Sequence, residues 1–301
     1  MSDAEGDWTA SAASDGAADA VDCTRGPTRA APVRRPTLRI IDAHAHAFPD
    51  AIAAKAVAAL AAEGDIVAHY DGTIDGLLAA MERGGIARTV VAPVATKPSQ
   101  VCGVNDWMAS LGDPRIVPFG AMHPDFPDPD AEVRRMRSLG IRGIKLHSQH
   151  QGFTPTDPRM TPVYAAAAEH GLPVLFHAGS YVARHETEAH PAELAAVIDA
   201  HSSLTCIMAH MGGYLEWEAV REHLCGRNVY FDTAYVPRNL PDDEFCALIR
   251  DHGVERVLFG TDGPWTDAGA EVAYLRAMGL TSDELAAILH DNAAALLGLD
   301  G

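Results

Sequence analysis

The sequence predicts an α/β protein, a single (β/α)₈ TIM barrel over residues 37–301 that is preceded by a disordered extension over residues 1–36. From residue 38 onward, short apolar runs alternate with amphipathic stretches, and strands that alternate with helices form a parallel sheet. Eight such repeats suit a closed barrel. An open doubly wound sheet usually carries a glycine-rich phosphate turn after its first strand. The first turn here contains His44, His46 and Pro49 instead, which argues against a dinucleotide site.

The strands and helices can be placed from the apolar patterning. The eight predicted strands span residues 38–46, 87–94, 116–123, 141–147, 173–177, 204–210, 229–233 and 256–262. The predicted helices span residues 50–63, 74–83, 104–111, 129–139, 160–170, 191–201, 214–225, 241–252, 268–278 and 282–298. Several helices begin with recognisable start signals, such as Thr73 before the second helix and Pro191 in a first turn.

Composition and charge restrict the class of partner. The chain of 301 residues is 48% hydrophobic, enough for one large core, and its formal charge is −18. A strongly acidic chain is a poor partner for nucleic acid and for anionic membrane surfaces, but it repels neither metal cations nor small neutral substrates. Five cysteines without a C-x-x-C pair argue against a disulfide framework and for a cytoplasmic location. No apolar run approaches the roughly 20 residues of a membrane span.

The first 36 residues differ in composition from the rest of the chain. They are mainly Ala, Asp, Gly, Ser, Thr and Arg, acidic at first and then basic and proline-rich from Arg25 to Pro36. Such a segment buries too little apolar area to offset the entropy lost on ordering. We therefore expect a disordered extension without a structural role in the barrel.

The end of the first strand carries the most informative motif, Asp42-Ala43-His44-Ala45-His46. Side chains alternate faces along a strand, so Asp42, His44 and His46 share one face. Two imidazoles held on rigid backbone can bind one metal ion. The alternative is a pair of ordinary surface histidines in a chain that has 15 of them.

Polar residues recur at the corresponding ends of later strands. They are His123, Lys145, His147, His177, His210 and Asp262. In a (β/α)₈ barrel these ends meet on one face, where catalysis takes place. Burying so many polar groups together is costly unless a metal or a substrate satisfies them. Six further histidines fall on predicted helices or linkers and are expected at the surface: His69, His170, His201, His223, His252 and His290.

Five local stretches carry a resemblance to a known family. They are Gly143–His147, Gln151–Phe153, Gly171–Gly179, Ala209–Gly213 and Phe259–Asp262. Together with the order of the strand-end histidines and Asp262, they resemble the amidohydrolase superfamily. The local sequence is similar to its amidohydrolase-related branch, which also holds the aminocarboxymuconate-semialdehyde decarboxylase group. The resemblance spans about residues 38–298.

The resemblance implies a role for each matching residue. His44, His46, His177 and Asp262 would bind one divalent metal ion, Zn²⁺ or alternatively Mn²⁺. His210 would orient a metal-activated water or polarise the substrate, and Asp262 would also shuttle the proton. Imidazole and carboxylate ligands do suit zinc, which lowers the pKa of bound water to about 7. Relatives commonly pair through barrel helices, so a homodimer is one expected state.

Substrate contacts are the least determined part of the prediction. Binuclear relatives use a carbamylated lysine on the fourth strand as a bridging ligand. The fourth strand here carries both Lys145 and His147, which departs from that pattern and leaves one or two metals as alternatives. For Lys145 an ion pair with Asp42 or Asp262, or a contact with substrate, is favoured over bridging. His147 could line the pocket or bind metal. Specificity is expected from the loops after the strands. The candidates there are Arg184, Arg238, Trp265 and Phe153.

Three functions are consistent with these observations. The leading hypothesis is a metal-dependent hydrolase of a small amide, ester or lactone. The second keeps the metal site but makes the protein a non-oxidative decarboxylase, or a hydratase, of a small carboxylic acid, which Arg184 or Arg238 in the pocket would favour. The third is a barrel that binds metal or ligand without turnover. It is disfavoured because binding alone requires neither His210 nor Asp262.

Overall fold

The computed structural model describes residues 39–180, 188–237 and 239–299. The predicted disordered extension over residues 1–36 lies outside these ranges. Within them the chain forms nine short strands, all paired in parallel. These are β1 (Ile40–Ala45), β2 (Ile86–Val91), β3 (Ile116–Pro118), β4 (Gly120–Ala121), β5 (Ile144–Leu146), β6 (Val174–Phe176), β7 (Cys206–Met208), β8 (Tyr230–Asp232) and β9 (Val257–Leu258).

The strands close into an eight-stranded barrel. Two runs of neighbours, β1-β2-β3 and β4 to β9 in order, follow the chain without a crossover, and β3 and β4 are two pieces of the third predicted strand. The seam between β9 and β1 is closed by backbone hydrogen bonds from Ala43 N to Phe259 O and from Asp262 N to His44 O, both 2.7 Å. The predicted (β/α)₈ fold is confirmed.

The helices alternate with the strands as predicted. They are α1 (Asp50–Gly64), α2 (Ile74–Gly84), α3 (Val101–Ser110), α4 (Pro129–Ser138), α5 (Ser148–Gln151), α6 (Thr161–Glu169), α7 (Pro191–Ala200), α8 (Trp217–His223), α9 (Asp242–His252), α10 (Ala268–Ala277), α11 (Ser282–Ala286) and α12 (Asn292–Leu297). The last predicted helix is α11 and α12 joined by a π-helical turn at Ala287–Asp291. Helix α5 was not among the predicted helices.

The local signals explain where helices begin. The Thr73 hydroxyl accepts a hydrogen bond from Gly76 N, as an N-cap residue does. Thr281 and Glu284 form a capping box at the start of α11. The strands are buried on both faces, and all six residues of β1 are buried, because helices cover the outside of a parallel sheet.

None of the helices in the described ranges combines the length and the apolar character that a membrane crossing would require.

His252, expected at the surface, is buried with 1% of its area exposed. Its ring stacks on Phe231 with 3.7 Å between ring centroids, and its Nε2 lies 2.9 Å from the Val229 carbonyl oxygen. Burial is the main cause that lowers the pKa of His252 from 6.5 to about 4. Position on a helix did not predict this, because α9 turns its last residue toward the core.

We expect His252 to make stability depend on pH. Between pH 6.5 and about 4 the unfolded chain binds a proton that the folded imidazole does not, so the free energy of unfolding decreases as the pH falls through this window. The contribution reaches at most about 3 kcal/mol. His252→Gln should flatten this part of the pH dependence in urea unfolding, whereas His69→Gln, at an exposed position, should not. Equal slopes in all three proteins would contradict the assignment.

Candidate active site

A cavity of about 640 Å³ opens among the residues that follow the strands. Eight of the predicted site residues line it: His44, His46, Lys145, His147, His177, His210, Asp262 and Trp265. Arg184 and Arg238 lie outside the described residues. His123 and Phe153 are buried but do not line the cavity. Phe153, which was a candidate for the pocket, is instead a core residue.

Three of the four predicted metal ligands converge. One nitrogen of His44, one of His46 and one oxygen of Asp262 all lie within 4.8 Å of one another. Asp262 Oδ1 is 3.1 Å from His46 Nε2 and 3.5 Å from His44 Nε2. This closeness follows from the β9–β1 seam, because the backbone of Asp262 is hydrogen-bonded to the His44 carbonyl.

The outer nitrogen of each imidazole is held by an acceptor. His46 Nδ1 lies 2.8 Å from the Ala92 carbonyl oxygen, and His44 Nδ1 lies 3.0 Å from Asp232 Oδ2. A carbonyl oxygen can only accept, so Nδ1 of His46 carries a proton and a neutral ring has its lone pair on Nε2. That lone pair faces a carboxylate oxygen of Asp262. A second proton or a cation must lie between them, and a divalent metal fits this donor set.

Electrostatics favour the ligand forms of these groups. Burial, reinforced by the positive charge of Lys145, lowers the pKa of His44 well below 6.5, so the imidazole is neutral. Burial raises the pKa of Asp262, whereas the positive charge that His44 and His46 carry when protonated lowers it by more, to about 2. Neutral imidazoles and an ionised carboxylate are the forms that bind metals.

Asp232, at the end of β8, contacts both His44 and the backbone of His210. It was not predicted from the sequence. It is fully buried; its Oδ2 contacts His44 Nδ1, while its Oδ1 accepts from the backbone N–H groups of His210 and Ala234. Its position could have indicated a role, because the seventh predicted strand ends in polar residues as several other strands do.

Asp42 has a structural role beneath the cluster. Its carboxylate accepts hydrogen bonds from His44 N, from Thr261 N and from the Thr261 hydroxyl at 2.7 to 3.0 Å. Burial raises its pKa to about 7, and the bonds from Thr261 and His44 oppose that rise. Asp42 therefore ties β1 to the segment that carries Asp262.

His177 lies in a row of imidazoles beside the three converging ligands. Its ring stacks on His147 with centroids 4.2 Å apart, and its Nδ1 is 3.1 Å from His210 Nε2. His210 Nδ1 lies 2.7 Å from the Ala234 carbonyl oxygen, which fixes its proton there. A neutral His210 then accepts at Nε2 from His177 Nδ1–H, and the lone pair of His177 is on its Nε2.

Lys145 is completely buried and contacts an imidazole rather than a carboxylate. Its Nζ lies 3.0 Å from His44 Nε2. Burial lowers its pKa to about 8, while the carboxylates of Asp262 and Asp232 oppose that shift. Of the alternatives for Lys145, a direct ion pair with Asp42 or Asp262 is not formed.

Two predicted catalytic residues have unusual backbone conformations. His210 has φ 58° and Asp262 has φ 62°, in the left-handed region that non-glycine residues rarely adopt. Such conformations cost of order 1 kcal/mol or more, and they concentrate at functional sites. At both residues the strained turn sets the direction of the side chain at the end of a strand.

Comparison with solved structures supports the barrel fold. The 5-carboxyvanillate decarboxylase LigW of Sphingomonas paucimobilis is 18% identical, with a TM-score of 0.66 over 87% of this chain and 99% of that one. A candidate 2-pyrone-4,6-dicarboxylic acid hydrolase of Pseudomonas putida is 21% identical, with a TM-score of 0.64 over 88% and 99%.

A third structure carries a metal. The 5-carboxyvanillate decarboxylase LigW2 of Novosphingobium aromaticivorans, solved with manganese and 3-methoxy-4-hydroxy-5-nitrobenzoic acid, is 16% identical, with a TM-score of 0.65 over 87% and 97%. At these identities the likeness establishes the fold alone.

Sequence comparison identifies the family. No curated protein matches the chain. The profile of the amidohydrolase family, in contrast, matches residues 41–299, which include every described site residue and nearly all of the barrel. The chain is therefore a member of the amidohydrolase family and, through it, of the amidohydrolase superfamily.

Proposed function

We propose that the protein is a metal-dependent hydrolase of a small amide, ester or lactone. The observation that carries this proposal is the convergence of His44, His46 and Asp262 inside a cavity whose other walls are mostly apolar. Such a cavity suits a substrate with an uncharged carbonyl. Among its described lining residues there is no arginine to grip a substrate carboxylate.

The metal would be bound by His44, His46 and Asp262, with His177 as the fourth ligand that the family resemblance implies. Zn²⁺ and Mn²⁺ both accept imidazole and carboxylate ligands. A divalent cation supplies polarisation of a carbonyl and a lowered pKa of bound water.

The chain's own residues would move the proton. Water adds its oxygen to the carbonyl carbon, and Asp262, ionised at neutral pH, accepts the proton released. The bond from that carbon to the leaving nitrogen or oxygen then breaks, and Asp262 returns the proton to the leaving group. The family resemblance assigns His210 to the attacking water, and its Nε2 would exchange the hydrogen bond from His177 Nδ1 for one from that water.

Decarboxylation is the second candidate. It is favoured by the two decarboxylases among the compared structures, and by Lys145, whose buried cation could meet a carboxylate. The products separate the two reactions, because hydrolysis releases a new acid with an amine or alcohol, whereas decarboxylation releases CO₂. A panel of amides, esters, lactones and aromatic acids, assayed by chromatographic detection of the acid product and by CO₂ detection, tests the proposal. CO₂ from the acids without hydrolysis would overturn it.

The metal content of the purified protein tests the assignment of the ligands. Protein purified without added metal should contain about one equivalent of zinc or manganese by elemental analysis, since one convergent group of potential ligands lines the cavity. His46→Ala should lose the metal, and so should His177→Ala. His290→Ala, outside the cavity, is the control and should keep it. Metal retained in His46→Ala would refute the ligand assignment, and metal retained in His177→Ala would remove His177 from it.

His210 should separate binding from turnover. Because His210 is assigned to water and not to the metal, His210→Ala should keep a full equivalent of metal and lose about 10²- to 10⁴-fold in kcat. Elemental analysis and steady-state kinetics on the same preparation provide the test. Loss of metal together with rate would move His210 into the ligand set.

Asp232→Asn tests how the tautomer of His44 is set. The asparagine oxygen can still accept from His210 N and Ala234 N, which turns its amide nitrogen toward His44 Nδ1. That nitrogen donates, so the proton of His44 would shift to Nε2 and block the ligand atom. We expect a 10- to 100-fold loss of metal affinity in competition with a chelator. Asp243→Asn, at an exposed position, should be neutral, and unchanged affinity in Asp232→Asn would contradict the mechanism.

A further inference from the structure

The cavity that contains the polar cluster also has an extended apolar wall. We define the apolar wall as the lining residues Phe48, Ile52, Ala56, Leu60, Val104 and Trp107. Ile52, Ala56 and Leu60 follow one another at four-residue spacing and so share one face of α1. Val104 and Trp107, three residues apart, share a face of α3.

This wall is larger than the polar cluster needs. Chemistry at His44, His46 and Asp262 requires space for one reacting group, whereas a cavity of about 640 Å³ lies in the range that takes a drug-sized ligand. Small residues maintain the space. Ala56 and Gly103 stand on the lining faces of α1 and α3, and a Cβ placed on Gly103 would meet nothing within 4 Å.

Polar groups near the wall are already engaged. Gln100, which directly precedes α3 and also lines the cavity, accepts hydrogen bonds at its Oε1 from the Thr96 hydroxyl and from Lys97 N, both 3.1 Å. Ile52 is 50% exposed, a large apolar side chain left uncovered at the cavity. An apolar ligand group that covered it would be stabilised by the area removed from water.

We propose that the substrate is amphiphilic, with a carbonyl group that reaches the polar cluster and an alkyl or aryl group that packs on the apolar wall. The identity of the reacting carbonyl rests on the proposed function. The occupant of the wall is assigned to the substrate because wall and cluster line one continuous cavity. Specificity for the apolar group is then determined by Ala56 and Gly103.

A series of γ-lactones tests this proposal, with an alkyl side chain that lengthens from none to hexyl. Binding is measured by calorimetry and hydrolysis by proton release on the same compounds. Each added methylene should raise affinity about three- to fourfold until the wall is covered. Affinity that does not depend on chain length would overturn the proposal.

Two variants place bulk at the wall from different helices. Gly103→Leu and Ala56→Leu should each reduce the affinity ratio of the hexyl lactone to the unsubstituted lactone toward one. Ala54→Leu is the matched control, since Ala54 is exposed on α1 and does not line the cavity, and it should keep the wild-type ratio. An affinity ratio that is unchanged in both wall variants would overturn the proposal. So would an Ala56→Leu variant whose sedimentation coefficient changes while its affinity ratio does not, because the wall would then bind a second copy of the chain.

The two readouts separate this inference from the proposed function. Lactones that bind with chain-length dependence but are not cleaved would refute the hydrolase and leave the amphiphilic ligand standing. Lactones that are cleaved, but with affinities and rates independent of chain length, would support the hydrolase and refute the amphiphilic substrate.

Discussion

The arrangement of protons on two imidazoles determines what this site can do. Asp232 and the Ala92 carbonyl hold the Nδ1 atoms of His44 and His46, so both neutral rings turn the lone pair of Nε2 into the cluster. The lone pair of His46 faces Asp262, whereas that of His44 meets the buried ammonium group of Lys145, so a positive charge already lies beside these acceptors. The cluster thus suits a cation, and Asp232 supports it by fixing the proton of His44 on Nδ1.

Barrel closure puts the members of this cluster together. They come from opposite ends of the sequence, and the β9–β1 seam brings them into contact through backbone hydrogen bonds between Asp262 and His44 and through the Asp42–Thr261 pair. The left-handed turn at Asp262 is maintained by these bonds. Strain at a strand end persists because the hydrogen bonds around it fix the backbone on both sides.

The sequence predicted the fold and most of the cluster because both depend on local patterns. Alternating apolar runs located all eight strands, and strand-end position brought out His44, His210 and Asp262. Asp232 was not predicted because a single aspartate after an apolar run is typical of an ordinary strand end. The burial of His252 and the direct contact of Lys145 with His44 depend on packing between distant elements, which periodicity does not encode.

The apolar wall shows the same limit and connects specificity to chemistry. Ile52, Ala56 and Leu60 read as an ordinary amphipathic stripe, and a stripe of this kind usually faces a core. Here it faces a cavity, because the helix lies over the ends of the strands. Once covered by a ligand, such a wall excludes water from the same space as Asp262 and Lys145, and charges interact more strongly as the local dielectric falls. An apolar substrate group would therefore strengthen the electrostatic interactions on which turnover depends.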